Sequence, residues 1–237
     1  TLAQVVKVNG YIGNFTVTVK EKAKYVDWDL CTGCGTCWEK CPTKKIKDEF
    51  ELGMGLRTSI HKVFPQAVPG KPIIEAETCT KLTSGKCGVC EKVCPTNAIR
   101  FGDQDRLVDH EVGAIVMATG YDLFAWEETY GEYGYGKYPD VITSLHFERL
   151  ASSGGPTGGN IRRPSDGKVP DSVAFIKCVG SRDDTKGKSY CSRACCMYTA
   201  KHAYQVKDKL PDSEAYVFYM DVRTAGKNYE EFYQRSL

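Results

Sequence analysis

The apolar positions of this chain alternate, lose their period over a long middle stretch, and then alternate again. Val5-Val-Lys-Val8 and Phe15-Thr-Val-Thr-Val-Lys20 read at period two, as half-buried strands do. Asn9-Gly10 and Gly13-Asn14 supply turn residues between them, so residues 1–28 are expected to form a β-ribbon. Lys20 to Lys24 reads as its solvated edge. Alternation returns in Ile99-Arg-Phe101 and in Leu107 to Val112. Gly113-Ala-Ile-Val-Met-Ala-Thr-Gly120 is apolar at consecutive positions, the pattern of a strand buried on both faces. Gly120 at its end lets the backbone approach a ligand closely. Further on, Ser144 to Ala151 reads as one short helix. Asp171 to Lys177, Met197 to Lys209 and Tyr216 to Met220 read as strand, helix and strand, a βαβ unit.

Two stretches resist this reading. Thr43 to Thr78 is rich in glycine and proline and is expected to be an irregular, extended wrap; His61 within it reads as a surface loop histidine rather than a metal ligand. Residues 121–170 hold a glycine–tyrosine loop, Tyr130 to Tyr138, and the string Ser152-Ser-Gly-Gly-Pro-Thr-Gly-Gly159 followed by Arg162-Arg163. Such a string can cradle a phosphate, but the strand before it and the Lys-Ser/Thr after it that a P-loop needs are missing. A plain mobile loop is the favoured reading.

Composition narrows the class. The 237 residues are 41% hydrophobic and 26% charged, as in an ordinary globular protein. A net charge of +2 gives no pointer to nucleic acid or an anionic membrane. No apolar run approaches the roughly 18 residues of a membrane span, and the N-terminus is not signal-like. The chain opens on Thr rather than Met, and an internal fragment of a longer protein is expected. Its twelve cysteines fall into three groups of four (31 to 41, 79 to 94 and 178 to 196) with none left over. Three tetrathiolate sites in a reducing, oxygen-poor cytoplasm account for that arithmetic better than a secreted disulfide scaffold does.

The first group, Cys31-Thr-Gly-Cys34-Gly-Thr-Cys37-Trp-Glu-Lys-Cys41-Pro42, is C-x2-C-x2-C-x3-C-P, the bacterial ferredoxin spacing for an iron–sulfur cluster. Three thiolates in a tight loop face one cluster, while the fourth points to a neighbour. The second group, Cys79, Cys87, Cys90 and Cys94-Pro95, repeats the tail of the motif, its first gap widened by Thr80 to Lys86. A duplicated motif builds a two-cluster ferredoxin in which each fourth cysteine crosses over. One cluster is thus assigned to Cys31, Cys34, Cys37 and Cys94, the other to Cys79, Cys87, Cys90 and Cys41. Were Cys79 only structural, the second cluster would be three-iron or labile. Zinc or a redox dithiol is the alternative reading of an isolated Cys-x-x-Cys pair.

The third group sits where a dinucleotide-binding βαβ unit keeps its glycine fingerprint. Cys178 follows the strand, and Cys191, Cys195 and Cys196 precede the helix. The layout reads as a nicotinamide site converted to a cluster site on these four cysteines. Adjacent residues of a helix point in different directions; Cys195 and Cys196 could both still bind if they sit in the first, non-helical turn. A vicinal disulfide or a buried thiol pair is the alternative.

Several strings resemble one family. Gly113 to Gly120 looks like the Ala-Thr-Gly strand that closes the FAD domain of two-dinucleotide-domain flavoproteins. Ala174 to Arg182, Tyr190 to Tyr198, Phe218 to Arg223, Phe64 to Pro69 and Tyr133 to Pro139 look like the flavoprotein component of heterodisulfide reductase, its A polypeptide, over nearly the whole chain. The resemblance implies an α/β, thioredoxin-reductase-like FAD protein with an inserted α+β two-cluster ferredoxin domain. Residues 1–28 and 107–125 would be the ribbon and closing strand of the FAD domain, 29–106 the insert, 126–170 a linker, and 171–237 the Rossmann-like unit with a flavin-proximal third cluster. It implies three [4Fe–4S] clusters and an FAD touched by Ala118, Thr119 and Gly120. It further implies electron bifurcation between ferredoxin and a heterodisulfide in a methanogenesis-type metabolism. The partners would be other subunits of that complex, a hydrogenase or formate dehydrogenase module, soluble ferredoxin and a second copy of the parent subunit. The competing readings are a related flavoprotein subunit of a quinone-interacting or sulfur-metabolising complex, a non-catalytic polyferredoxin-like conductor, and a zinc-stabilised interaction protein.

Overall fold

A computed structural model describes residues 2–125 and 130–237. Residue 1 of the expected ribbon and residues 126–129 of the expected linker lie outside the described residues. The chain divides into two compact units, Thr1–Gly120 and Tyr121–Leu237.

In the first unit, β1 (Ala3–Tyr11) and β2 (Asn14–Glu21) form the expected hairpin, with Tyr11 opposite Asn14 across the turn. Gly10 and Gly13 take positive φ there, which glycine alone adopts without strain. The strand over Arg106–Val112 lies antiparallel on the other side of β2, pairing Phe15 with Val112 and Glu21 with Arg106. Arg106 also binds the Glu21 carboxylate at 2.5 Å. Residues 22–105 therefore leave the sheet and return to it at one point, as an insert must. The basic edge is partly engaged, with Lys20 paired to Asp105 at 2.8 Å and Lys24 over the Trp28 ring.

The insert has little regular structure. Its helices are the single turns α1 (Thr36–Glu39), α2 (Thr80–Ser84) and α3 (Val89–Val93). Its strands are the two-residue pairs β3 (Ile46–Lys47) with β4 (Leu56–Arg57) and β5 (Ile60–His61) with β6 (Ile73–Ile74). The strand over Arg106–Val112 is then β7. The irregular wrap expected over Thr43 to Thr78 is what these short pairs amount to. The widened cysteine gap is α2, closed by Gly85 at φ +74. The buried core holds Val26, Ile60, Ile74, Ala98 and Ile99 together with the sulfurs of Cys37, Cys41, Cys79 and Cys90. So few aliphatic side chains mean that the thiols themselves fill the interior.

Two expectations need correction here. Residues 113–120 form no strand, and Val116 and Met117 are 88% and 78% exposed. A strand buried on both faces needs a strand on each side and layers above and below. No described residues supply these around Gly113 to Gly120, so Ala118, Thr119 and Gly120 stand in the open. His61 is half-buried in β5 rather than a surface loop residue, and burial with the neighbouring Arg57 guanidinium holds its pKa below the usual value.

In the second unit, α4 (Ser144–Ala151) matches the expected helix and begins at Thr143, whose hydroxyl accepts the His146 N–H, an ordinary cap. β8 (Ser172–Ile176) and β9 (Glu214–Phe218) run parallel through α5 (Cys195–Lys209), pairing Ala174 with Tyr216. This is the expected βαβ unit. Val173, Phe175 and Ala215 turn inward onto Phe147, Ala151, Ile161 and Val206. A short helix, α6 (Tyr229–Ser236), closes the chain. Among the described residues, no helix is long and apolar enough to cross a membrane.

Candidate metal centres

The chain before the first cysteine motif pairs with the chain after the second. Val26 bridges Ile99, Asp27 donates its N–H to the Ala98 carbonyl at 2.7 Å, and Arg100 donates to Tyr25 at 2.9 Å. The opposite ends are joined as well. Ser59 donates to Thr43, Glu75 donates to Ser59, and the hydroxyls of Thr43 and Thr80 lie 3.0 Å apart. These two seams bring Cys94-Pro95 beside the first loop and Cys41-Pro42 beside the second.

The consequence is two cavities with four thiols each. Cys31, Cys34, Cys37 and Cys94 line one hollow with Val26, Trp38, Pro72, Ala98 and Ile99. Cys41, Cys79, Cys87 and Cys90 line another with Ser59, Ile60, Ile74 and Lys81. The partition is the crossed one expected from the spacing, and it includes Cys79. Its backbone is held by N–H donation to Glu75 and Ala76, and Glu75 is held by the side chains of Arg57 and Thr78.

Local backbone geometry shapes the first loop. Gly33 and Gly35 have φ of +73° and +92°, where a side chain is strained. A Cβ on Gly33 would stand 2.9 Å from the Gly70 carbonyl oxygen, and one on Gly35 would meet the Trp38 ring at 2.8 Å. N–H groups then point at sulfur, from Gly33 to Cys31 at 3.4 Å and from Ala98 to Cys94 at 3.2 Å. N–H···S bonds of this kind are among the features that tune cluster potentials.

The thiols differ in acidity. Hydrogen bonds from the Thr36 backbone and hydroxyl hold Cys34 below the usual thiol value. Burial pushes Cys94 up, but the Ala98 and Thr96 hydrogen bonds outweigh it and leave it lowered. Burial pushes Cys37 up to about 11 and Cys90 up to about 12. Metal binding at such thiols expels protons. The donor set fits an iron–sulfur cluster: four cysteines line each cavity, and among the described residues no carboxylate or histidine lines either one. Among the described residues, no three His, Cys, Asp or Glu side chains converge on a single ion position. The thiols instead ring a space.

The third group is less complete. Cys178, two residues past β8, has a φ of +62°, a rare backbone state for a residue with a side chain. Burial and the neighbouring Cys195 raise its pKa, with a smaller contribution from Cys196. Cys195 and Cys196 are both buried and are the first two residues of α5, rather than preceding the helix as expected from the sequence. A helix's first turn is where its free N–H groups and positive dipole end lie, a suitable place for thiolates. The loop from Cys178 folds back through the Arg182 N–H on Tyr190, 3.2 Å away. Cys191 accepts the Arg193 N–H at 3.3 Å; among the described interactions none joins it to the other three sulfurs. Sequence reasoning missed Lys177, which donates to Cys196 at 3.2 Å. The available signal was a lysine closing an apolar strand immediately before a cysteine.

Comparison with known proteins agrees with this geometry. The 4Fe-4S binding domain family matches residues 24–44 and 85–100, the two limbs joined at Val26 and Ile99. Over its whole length the chain is 47% identical to the A polypeptide of the H(2):CoB-CoM heterodisulfide,ferredoxin reductase of Methanothermobacter thermautotrophicus. The chain corresponds end to end to a segment of heterodisulfide reductase A polypeptides. It is also 51% identical to an iron–sulfur A polypeptide of the CoB--CoM heterodisulfide reductase of Methanopyrus kandleri. Over 237 residues it is 42% identical to the A polypeptide of the Ferredoxin/F(420)H(2)-dependent CoB-CoM heterodisulfide reductase of Methanosarcina acetivorans. The chain spans 35% of the length of the first two relatives and 29% of the third. The limbs matched by the 4Fe-4S family carry seven of the twelve cysteines, and Cys79 lies between them.

Proposed function

We propose that this segment is the electron-carrying part of a cytoplasmic iron–sulfur flavoprotein subunit in an anaerobic heterodisulfide reductase complex. The observation that carries the reading is the partition of eight cysteines into two four-thiol cavities, each completed by the distant fourth cysteine. Two [4Fe–4S] clusters are assigned to these cavities, and a third to Cys178, Cys191, Cys195 and Cys196. Bound clusters supply one-electron relays, their potentials set by hydrogen bonds to sulfur, burial and nearby charge. The chain's own part is to hold the thiols, exclude water and aim N–H groups at sulfur.

The parent subunit is assigned an FAD domain of the thioredoxin-reductase type. The return of β7 to β2 at Arg106 and Glu21 supports an insert placed within its ribbon. Ala118, Thr119 and Gly120 are assigned to the flavin's surroundings. Electron pairs arriving at the flavin from a hydrogenase or formate dehydrogenase module would be split between soluble ferredoxin and heterodisulfide reduction on partner subunits. Two copies of the parent subunit are expected in the complex. Flavin analysis of the purified full-length protein tests the reading. FAD recovered with the iron and sulfide supports it, whereas iron and sulfide without flavin reduce the protein to a polyferredoxin-like conductor.

A further inference from the structure

Lys177 is a buried lysine whose ammonium donates to a cysteine sulfur rather than to a carboxylate. It directly follows β8, is only 9% exposed, and its backbone N–H is fixed on the Phe218 carbonyl at 3.0 Å. Its ammonium donates to Cys196 Sγ at 3.2 Å and sits 5.2 Å from the centre of the Tyr219 ring. Among the described residues no Asp or Glu comes within ion-pair distance of it; the nearby Asp221 is taken by Arg182 at 2.7 Å and Arg223 at 3.4 Å. An ammonium removed from water without an opposite charge is costly. A neutral thiol and a ring face do not offset that cost.

A cluster on these cysteines does. An oxidised [4Fe–4S] core with four thiolates is a dianion, and reduction adds one more negative charge. The second donor to the same sulfur, the Arg223 N–H at 3.3 Å, is neutral. Arg182 also acts on Cys178, but its charge is matched by Asp221 at 2.7 Å, so the unmatched fixed charge is that of Lys177. Among the described residues, the two cavities of the first two cysteine groups lack this arrangement. The first has no charged side chain in its wall, and Lys81 of the second turns its ammonium to the Gly85 carbonyl at 3.5 Å and the Phe101 ring.

We infer that Lys177 sets the reduction potential of the third cluster, raising it by holding a buried positive charge against the Cys196 sulfur. The inference rests on the assignment of a cluster to the third cysteine group. A positive charge at hydrogen-bond distance in a weakly screening interior favours the more negative, reduced state. Lys177 acts here through Cys196 and is a positioning residue. It makes the third site an easier electron acceptor than its ligands alone would.

The test is a redox titration followed by electron paramagnetic resonance on the full-length protein, assembled anaerobically as wild type, Lys177→Met and Lys177→Arg. Iron and sulfide are measured first on the wild type; fewer than three clusters there removes the third cluster itself, before any variant is compared. With three present, Lys177→Met is expected to shift one cluster's midpoint downward while the other two hold still, and Lys177→Arg to restore most of it. Loss of the third cluster in Lys177→Met with retention in Lys177→Arg also supports the charge requirement. An unchanged midpoint in Lys177→Met, or equal loss of the cluster in both variants, overturns the inference.

Discussion

The hydroxyls of Thr43 and Thr80 lie 3.0 Å apart, although the two residues belong to different cysteine motifs. Thr43 is two residues past Cys41, and Thr80 is one past Cys79. Their contact closes the second cavity and brings the last cysteine of the first motif to the second site. The same logic operates at the other seam, where Val26 meets Ile99 and delivers Cys94 to the first site.

Cys79 is therefore expected to be a full ligand despite the widened gap after it, because α2 absorbs the extra residues as one helical turn. Replacing it with alanine should convert the second cluster to a three-iron form or abolish it, while the first cluster persists. Iron analysis with electron paramagnetic resonance reads this directly. Full four-iron signals from both clusters in Cys79→Ala would mean that Cys79 is structural.

Gly33→Ala should weaken the first site in particular. The backbone there is left-handed, and the new methyl would stand 2.9 Å from the Gly70 carbonyl oxygen, which is backbone and cannot swing aside. The left-handed conformation alone costs about 1–2 kcal/mol. A lowered thermal midpoint and selective loss of the first cluster's signal are expected. Gly85→Ala shares the positive φ but has open space at its Cβ, so it should be milder.

Much of this architecture was legible in the sequence because spacing and period are local. The two ferredoxin-type cysteine motifs, the ribbon, α4 and the strands and helix of the β8–α5–β9 unit each rest on a pattern read within one motif or element. Gly113 to Gly120 was misread because apolar continuity reports the need for burial, not the partners that provide it. The start of α5 was placed two residues late because cysteine has little helix preference of its own, while tertiary packing holds Cys195 and Cys196 in the first turn. Lys177 was overlooked because a charge's significance depends on which distant side chains fail to neutralise it.

The second unit should lose stability in mild acid. His202 donates from Nε2 to Glu148 at 2.6 Å, and its buried Nδ1 has no partner among the described residues. Burial lowers the His202 pKa, with the nearby Lys201 adding a little and Glu148 opposing. Protonating Nδ1 would bury an unpaired N–H. The unfolded chain therefore takes up the proton first, near 6.5, so the contribution is complete above that pH and fades as pH falls through the folded value. Glu148, lowered overall because Lys201 and His202 outweigh the burial that raises it, adds a loss in the same direction at more acid pH. Denaturant midpoints between pH 7.5 and 5 should fall in the wild type and flatten in His202→Gln. Equal slopes in the two would contradict the assignment.

Anaerobic analysis of iron and acid-labile sulfide in the full-length protein, alongside a variant with Cys178, Cys191, Cys195 and Cys196 all changed to alanine, tests the central claim most directly. The three cysteine groups predict a difference of about four irons and four sulfides between the two proteins, with the paired ferredoxin signals untouched. A further variant with the first two groups replaced should lose about eight. Equal iron in wild type and either variant, or zinc in place of iron and sulfide, would contradict the account.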